Sequence, residues 1–148
     1  MDDSESMLRA IELAKQAALL DEVPVGAVVT HNGRIVGEGF NRRETGKNAL
    51  AHAEIEAINM ACNTLGGWRL AECEMFVTLE PCPMCTGAII NSRVRRVVFG
   101  AYDYKSGSMG SVVNLCDLPY NSKPRIEGGF MQDECAALLT EFFAALRV

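Results

Sequence analysis

Pro81-Cys82-Pro83-Met84-Cys85 constrains this chain more than any other stretch, because one tight turn can bring both thiols to a single point. The apolar run 75–79 before it reads as a buried strand, and 86–90 after it reads as the opening of a helix. The cysteines then stand at a strand end and a helix N-terminus, where the helix dipole and a metal both favour thiolate over thiol. His52, thirty residues upstream of Cys82, offers a neutral imidazole as a third ligand. A His/Cys/Cys set leaves one tetrahedral position open, the pattern of catalytic zinc, so one Zn2+ per chain is expected on His52, Cys82 and Cys85. Glu54 follows His52 by two residues, and a carboxylate there can take a proton from an acidified water and hand it to a substrate.

The bulk numbers set limits around this motif. At 148 residues the chain is expected to form one domain, 1–148, around a single hydrophobic core. No uncharged apolar run approaches the ~18 residues of a membrane span, and the acidic start Met1-Asp2-Asp3-Ser4-Glu5 is unlike a signal or transit peptide. A cytoplasmic protein is expected. Six cysteines in such a chain are thiols and ligands rather than disulfides, with Cys62, Cys73, Cys116 and Cys135 read as small buried hydrophobes. The competing reading takes one of these four as a fourth zinc ligand, which would close the site and leave Glu54 without a role.

The net charge of −5 argues against nucleic acid as a partner, but its distribution argues the other way. Residues 1–22 carry six acids against two bases. Residues 86–125 carry six bases (Arg93, Arg95, Arg96, Lys105, Lys123, Arg125) against two acids, Asp103 and Asp117. A local basic surface of that kind is compatible with phosphate contact, and equally with an ordinary solvated face.

Along the chain, a first helix is expected from Ser4 or Ser6 to about Leu20, with Met7, Ile11, Ala14 and Ala18 as its apolar stripe. The run 25–29 reads as a strand buried on both faces, and His31-Asn32-Gly33 as a hairpin turn into a second strand over 34–39. The polar stretch 40–50 is a loop beside the metal helix, and Asn41 in it can both donate to and accept from a base or sugar, or simply end the strand. A helix over about 51–65 should bury Ile55, Ile58, Ala61 and Cys62 and stop at Gly66-Gly67, with Trp68 as a packing anchor. Strand 75–79, the cysteine helix and strand 96–100 make a parallel βαβ unit. After the long connection 101–123 come a short edge strand near 125–129 and a last helix over about 132–146. That helix should bury Cys135, Leu138, Leu139, Phe142 and Leu146. The architecture that fits is α/β, a three-layer α/β/α domain with helices on both faces of a mixed sheet.

His-x-Glu combined with Pro-Cys-x-x-Cys resembles the signature of the zinc-dependent nucleoside and nucleobase deaminases, whose fold is cytidine deaminase-like. Glu22-Val23-Pro24-Val25-Gly26-Ala27-Val28, Gly37-Glu38-Gly39-Phe40-Asn41-Arg42 and Arg96-Val97-Val98-Phe99-Gly100-Ala101 widen the match, which runs along essentially the whole chain. Together they are similar to the bacterial tRNA-specific adenosine deaminases. The resemblance implies conversion of adenosine to inosine at the wobble position of a tRNA anticodon by a zinc-dependent homodimer. It implies acid/base work by Glu54 and substrate contacts by Asn41, Ala53, Phe142 and Phe143, the last two matching paired phenylalanines of the family's final helix. Asn121-Ser122 departs from the Asn-His common in the family, and the chain stops at Arg147-Val148 where the family often continues into a basic tail. Two other functions share the metal motif: deamination of a free base or nucleoside such as guanine or cytosine, and a non-catalytic zinc-stabilised binding module.

Overall fold

The protein is described here over residues 1–146 by a computed structural model. Helix α1 (Asp3–Leu19) leads into strands β1 (Gly26–His31) and β2 (Arg34–Phe40), then α2 (Ala53–Leu65) and β3 (Cys73–Leu79). Helix α3 (Pro83–Ser92), β4 (Arg96–Ala101), a single 3-10 turn (Leu115–Asp117), β5 (Arg125–Gly128) and α4 (Gln132–Leu146) complete the chain. The strands lie in the order β2-β1-β3-β4-β5. β1 runs antiparallel to both neighbours, whereas β3, β4 and β5 are mutually parallel. This is the mixed sheet expected from the sequence.

Alternation along the strands explains the three layers. Ala27, Val29, Met75, Val77, Val97 and Phe99 point to one face and pack with Ala53, Ala57 and Ala61 of α2 and Ile89 of α3. Val28, Phe76 and Val98 point to the other and meet Met7, Ala10, Ile11 and Leu13 of α1 and Cys135 of α4. A strand covered on both faces needs apolar residues at every position, which is why β1, β3 and β4 read as continuous hydrophobic runs.

Asn32 and Gly33 both adopt positive φ, 51° and 73°, as the two central residues of a tight hairpin turn require. Gly37 and Gly39 serve a different purpose. A Cβ on either would run into the α2 backbone, at the carbonyl oxygens of Ala57 and Ala53 respectively. Two glycines on the strand and three alanines on the helix therefore let α2 approach β2 closely.

Four local expectations are corrected. Asp2, rather than Ser4 or Ser6, caps α1, its carboxylate accepting from the Glu5 amide at 2.8 Å, and Ser6 is buried inside the helix. Helix α2 turns its alanine stripe to the sheet, so Ile55 and Cys62 are only half-buried. In α4 only Cys135 is buried, and Leu146 is exposed. Trp68 is 49% exposed, with the Arg69 guanidinium 4.4 Å and that of Arg93 5.6 Å from its ring centroid, so it is a surface residue and not a packing anchor.

The basic excess of 86–125 is also largely consumed. Arg96 is buried and donates to Asp3, Glu74 and Glu127, tying the first turn of α1 to β3 and β5. Arg95 pairs with Glu74 and Arg125 with Glu127. Lys105 and Lys123 are exposed and make no ion pair among the described residues.

The α2–β2 approach carries a prediction. Gly39→Ala should lower stability by about 1–3 kcal/mol, the usual cost of overpacking a filled interior. Denaturant unfolding checks it, and an unchanged midpoint would mean that the helix tolerates a methyl group at this contact.

Candidate active site

Two helix N-termini meet outside the carboxyl ends of β3 and β4, on the α2/α3 side of the sheet. His52 is the N-cap of α2 and Cys82 the N-cap of α3, both in extended backbone, and neither side chain caps its own helix. Pro83 at the first position of α3 has its φ already set for a helix and no amide proton to leave unsatisfied. Cys85 is the third helical residue. N-cap and third-position side chains point to the same side of a helix start, the geometry used by a capping box, so both sulfurs face one spot. The His52 Nδ1 lies 3.6 Å from Cys82 Sγ and 3.5 Å from Cys85 Sγ.

These separations can be tested against a tetrahedral zinc ion. Bonds of about 2.3 Å to sulfur and about 2.0–2.1 Å to nitrogen at the tetrahedral angle put S and N about 3.6 Å apart. Both nitrogen–sulfur separations match that geometry, so the residues fit the ion. Among the described residues the His52/Cys82/Cys85 group has no fourth His, Cys, Asp or Glu ligand within reach. Cys62, Cys73, Cys116 and Cys135 are free thiols elsewhere in the fold. The fourth ligand that a closed binding module needs is therefore lacking there.

The electrostatics follow from burial and mutual contact. Hydrogen bonding from Cys85 holds the Cys82 thiol down at about 4, with the imidazole of His52 helping, while the same contact and burial push Cys85 up. The pair thus carries one negative charge between its two sulfurs, and a bound cation would favour thiolate at both. The Cys82 hydrogen bond also raises His52. Glu54 is 4% exposed, and burial pushes its carboxyl up to about 7. A carboxyl of near-neutral pKa can both take and give a proton at neutral pH.

The cleft beside this cluster is lined by Asn41, Ala53, Leu79 and Glu80, together with Val23, Val25, Arg43, Asp103 and Ser106. Asn41 ends β2, its Nδ2 donating to the Val23 carbonyl at 3.1 Å and its Oδ1 accepting from the Arg43 amide at 3.2 Å, which leaves one amide hydrogen and one oxygen lone pair uncommitted in a side chain that lines the cleft. Phe142 and Phe143 do not line the cleft; they stack edge to face on α4 with centroids 5.4 Å apart.

Two carboxylates that matter here were missed in the sequence. Glu80, almost fully buried, accepts from the amides of Asp103 (3.1 Å), Met109 (3.0 Å) and Ser111 (3.1 Å) and from the Ser111 hydroxyl. It folds the first half of the 101–123 connection against the site. Glu22, equally buried, accepts from the amides of Glu44 (3.1 Å) and Thr45 (2.6 Å) and anchors the 41–50 loop on the opposite wall. The available signal was an acid set among apolar and proline neighbours, Glu22-Val23-Pro24 and Leu79-Glu80-Pro81. A charge at the end of a buried strand is tolerated only when it is fully hydrogen-bonded.

Three residues able to hold a metal ion with a buried carboxylate beside them are the arrangement found in metal-dependent hydrolases. The model of the MafB19-like deaminase family matches residues 1–147. The tRNA-specific adenosine deaminase of Bacillus subtilis is 45% identical over 98% of this chain and 91% of its own length. A solved structure from work on A-to-I editing by tRNA:A34 deaminases superposes with a TM-score of 0.89 at 39% identity, covering 92% of this chain and 99% of that one. The guanine deaminase of Nitrosomonas europaea superposes with a TM-score of 0.84 at 27% identity, over 97% and 85%. The chain belongs to the MafB19-like deaminase family, in the branch of the tRNA-specific adenosine deaminases. It is a hydrolytic enzyme with the cytidine deaminase-like fold, and its reaction releases ammonia.

The Glu22 contacts predict a pH effect. Burial pushes its carboxyl up, but the Thr45 and Glu44 amides outweigh burial and leave it below the ordinary value. Its contribution to stability is present above the unfolded carboxyl pKa of about 4.3 and is lost as pH falls through the lower folded value. Glu22→Gln should therefore flatten the acid limb of the stability curve below about pH 4.5 relative to wild type. Parallel acid limbs in thermal melts would remove Glu22 from the loop's support.

Proposed function

We propose that this protein deaminates adenosine to inosine at the wobble position of a tRNA anticodon, as a cytoplasmic homodimer of one-domain chains with one zinc ion each. The observation that carries the substrate is the 45% identity, over nearly the full length, to a protein named for that activity, in a chain that brings His52, Cys82 and Cys85 together beside buried Glu54. His52, Cys82 and Cys85 would hold the zinc, which when bound supplies a Lewis acid able to bring the pKa of water near 7.

The rest is work for the chain's own groups. Glu54 accepts a proton from the attacking water and delivers it to adenine N1, drawing electron density away from C6. It then takes the remaining proton from the hydroxyl now on C6 and passes it to the 6-amino group, so that the C6–N bond breaks, the C6 carbonyl of inosine forms and ammonia leaves. Asn41 uses its remaining donor and acceptor on the nucleotide, and the Ala53 backbone at the start of α2 faces the base. Phe142 and Phe143, on a helix whose outer side is largely uncovered, meet the anticodon loop outside the cleft. An unpaired loop nucleotide suits this pocket because extruding it costs least.

The partly exposed side of α3, with Met84, Gly87, Ala88 and Ile90, is the face expected to meet a second copy. Sedimentation at micromolar concentration should give twice the 16.1 kDa chain mass; a species of single-chain mass would exclude the dimer.

A second reading is supported by the likeness to guanine deaminase, and one assay separates the two. The protein is offered an anticodon stem-loop with adenosine at the wobble position, the same hairpin with guanosine there, and free guanine and cytosine. Inosine should form in the first alone, whereas rapid deamination of a free base with an untouched hairpin would overturn the proposal. In the same assay Glu54→Gln should keep its zinc and lose about two or more orders of magnitude in turnover. Near-normal turnover would remove Glu54 from the chemistry.

A further inference from the structure

The loop after β4 carries an aromatic pair that the deaminase chemistry does not use. Tyr104 is 78% exposed, among the most exposed large side chains of the described residues, although it sits between two residues of the cleft wall, Asp103 and Ser106. It is not a floppy tip. Asp103 accepts from the amides of Lys105 (3.0 Å) and Ser106 (3.3 Å) and from the Ser106 hydroxyl (2.9 Å), which closes a tight turn around Tyr104. Glu80 holds the base of that turn through the Asp103 amide. The Tyr104 ring stacks on Tyr102, centroids 6.3 Å apart and planes 19° from parallel. Tyr102 in turn stands edge-on to buried Phe99 at 5.1 Å and 89°. The result is a solvent-exposed ledge braced against the core, on the turn whose Asp103 and Ser106 line the cleft.

We propose that Tyr104, backed by Tyr102, is a stacking site for the nucleobase adjacent to the target adenosine; this rests on the RNA reading above. Extruding one nucleotide into the cleft strips its neighbour of a stacking partner. An aromatic face fixed at the rim replaces that partner, and exposed Lys105 beside it offers a charge to the phosphate between the two nucleotides. Free purines have no such neighbour, so the ledge contributes to selection of a polynucleotide over a free base. The contact is a π-face, so it needs no hydroxyl group.

The test compares wild type, Tyr104→Ala and Tyr104→Phe on the wobble-adenosine hairpin. Tyr104 makes no hydrogen bond through its side chain among the described residues, so Tyr104→Ala should fold and melt as wild type does. Its kcat/KM should fall about five- to hundredfold, the range for losing one base–aromatic stack, mainly through KM. Tyr104→Phe should restore it. In the inactive Glu54→Gln background, 2-aminopurine placed on one or other side of the target should be quenched on binding with Tyr104 present and not with alanine there. An active wild type whose Tyr104→Ala variant is unchanged overturns the ledge alone. A wild type that leaves the hairpin untouched overturns the RNA reading beneath it. Loss of the dimer in Tyr104→Ala, with RNA affinity intact, would assign the ledge to a second copy of the chain and overturn the proposal.

Discussion

The structure depends on the meeting of two helix N-termini at one point. His52 and Cys82 each occupy an N-cap without capping, which leaves their side chains free to meet beside the cleft. The Nδ1–Sγ separations of 3.5 and 3.6 Å exist only because α2 and α3 lie on the same face of the sheet at fixed heights. Those heights come from close packing: Gly37 and Gly39 admit the α2 backbone, and the Pro-Cys-Pro turn starts α3 directly off the end of β3. A displacement of about 1 Å in either helix would spoil the geometry on which a pre-formed site relies.

Around that point the walls are held by charge rather than by apolar packing. Glu22 and Glu80 are buried carboxylates that would be costly alone, and each is compensated by backbone amides of a neighbouring connecting segment. Each carboxylate therefore selects one loop conformation, bringing Asn41 and Arg43 to one side of the cleft and Asp103 and Ser106 to the other. Long loops beside an active site usually trade order for reach. Here two glutamates supply the order.

Much of this was legible in the sequence, for reasons that differ between elements. The strands were readable because burial on both faces demands apolar runs, and the hairpin because Asn32-Gly33 tolerates positive φ. The triad was readable because ligand type and spacing carry their own chemistry. Side-chain orientation was less so. The α2 stripe was drawn through Ile55 and Cys62, whereas the glycines of β2 call for alanines, a pairing visible only once the two elements are side by side. In the sequence Arg96 is one base of a basic stretch, and the three carboxylates that enclose it come from distant segments. The burial of Glu22 and Glu80 is hinted at by their apolar and proline neighbours, but the loop amides that hold them are not, because those partners lie more than twenty residues away.

The proposed zinc on His52, Cys82 and Cys85 leaves one coordination position open, and X-ray absorption reads that position out. X-ray absorption at the zinc edge of the purified protein should show two sulfur scatterers at about 2.3 Å and two lighter ones at about 2.0–2.1 Å, one imidazole and one exchangeable oxygen. Addition of a purine analogue carrying a hydrated carbon should perturb only the oxygen. Four protein ligands on the metal, or three or more sulfurs, insensitive to any added ligand, would exclude the open site.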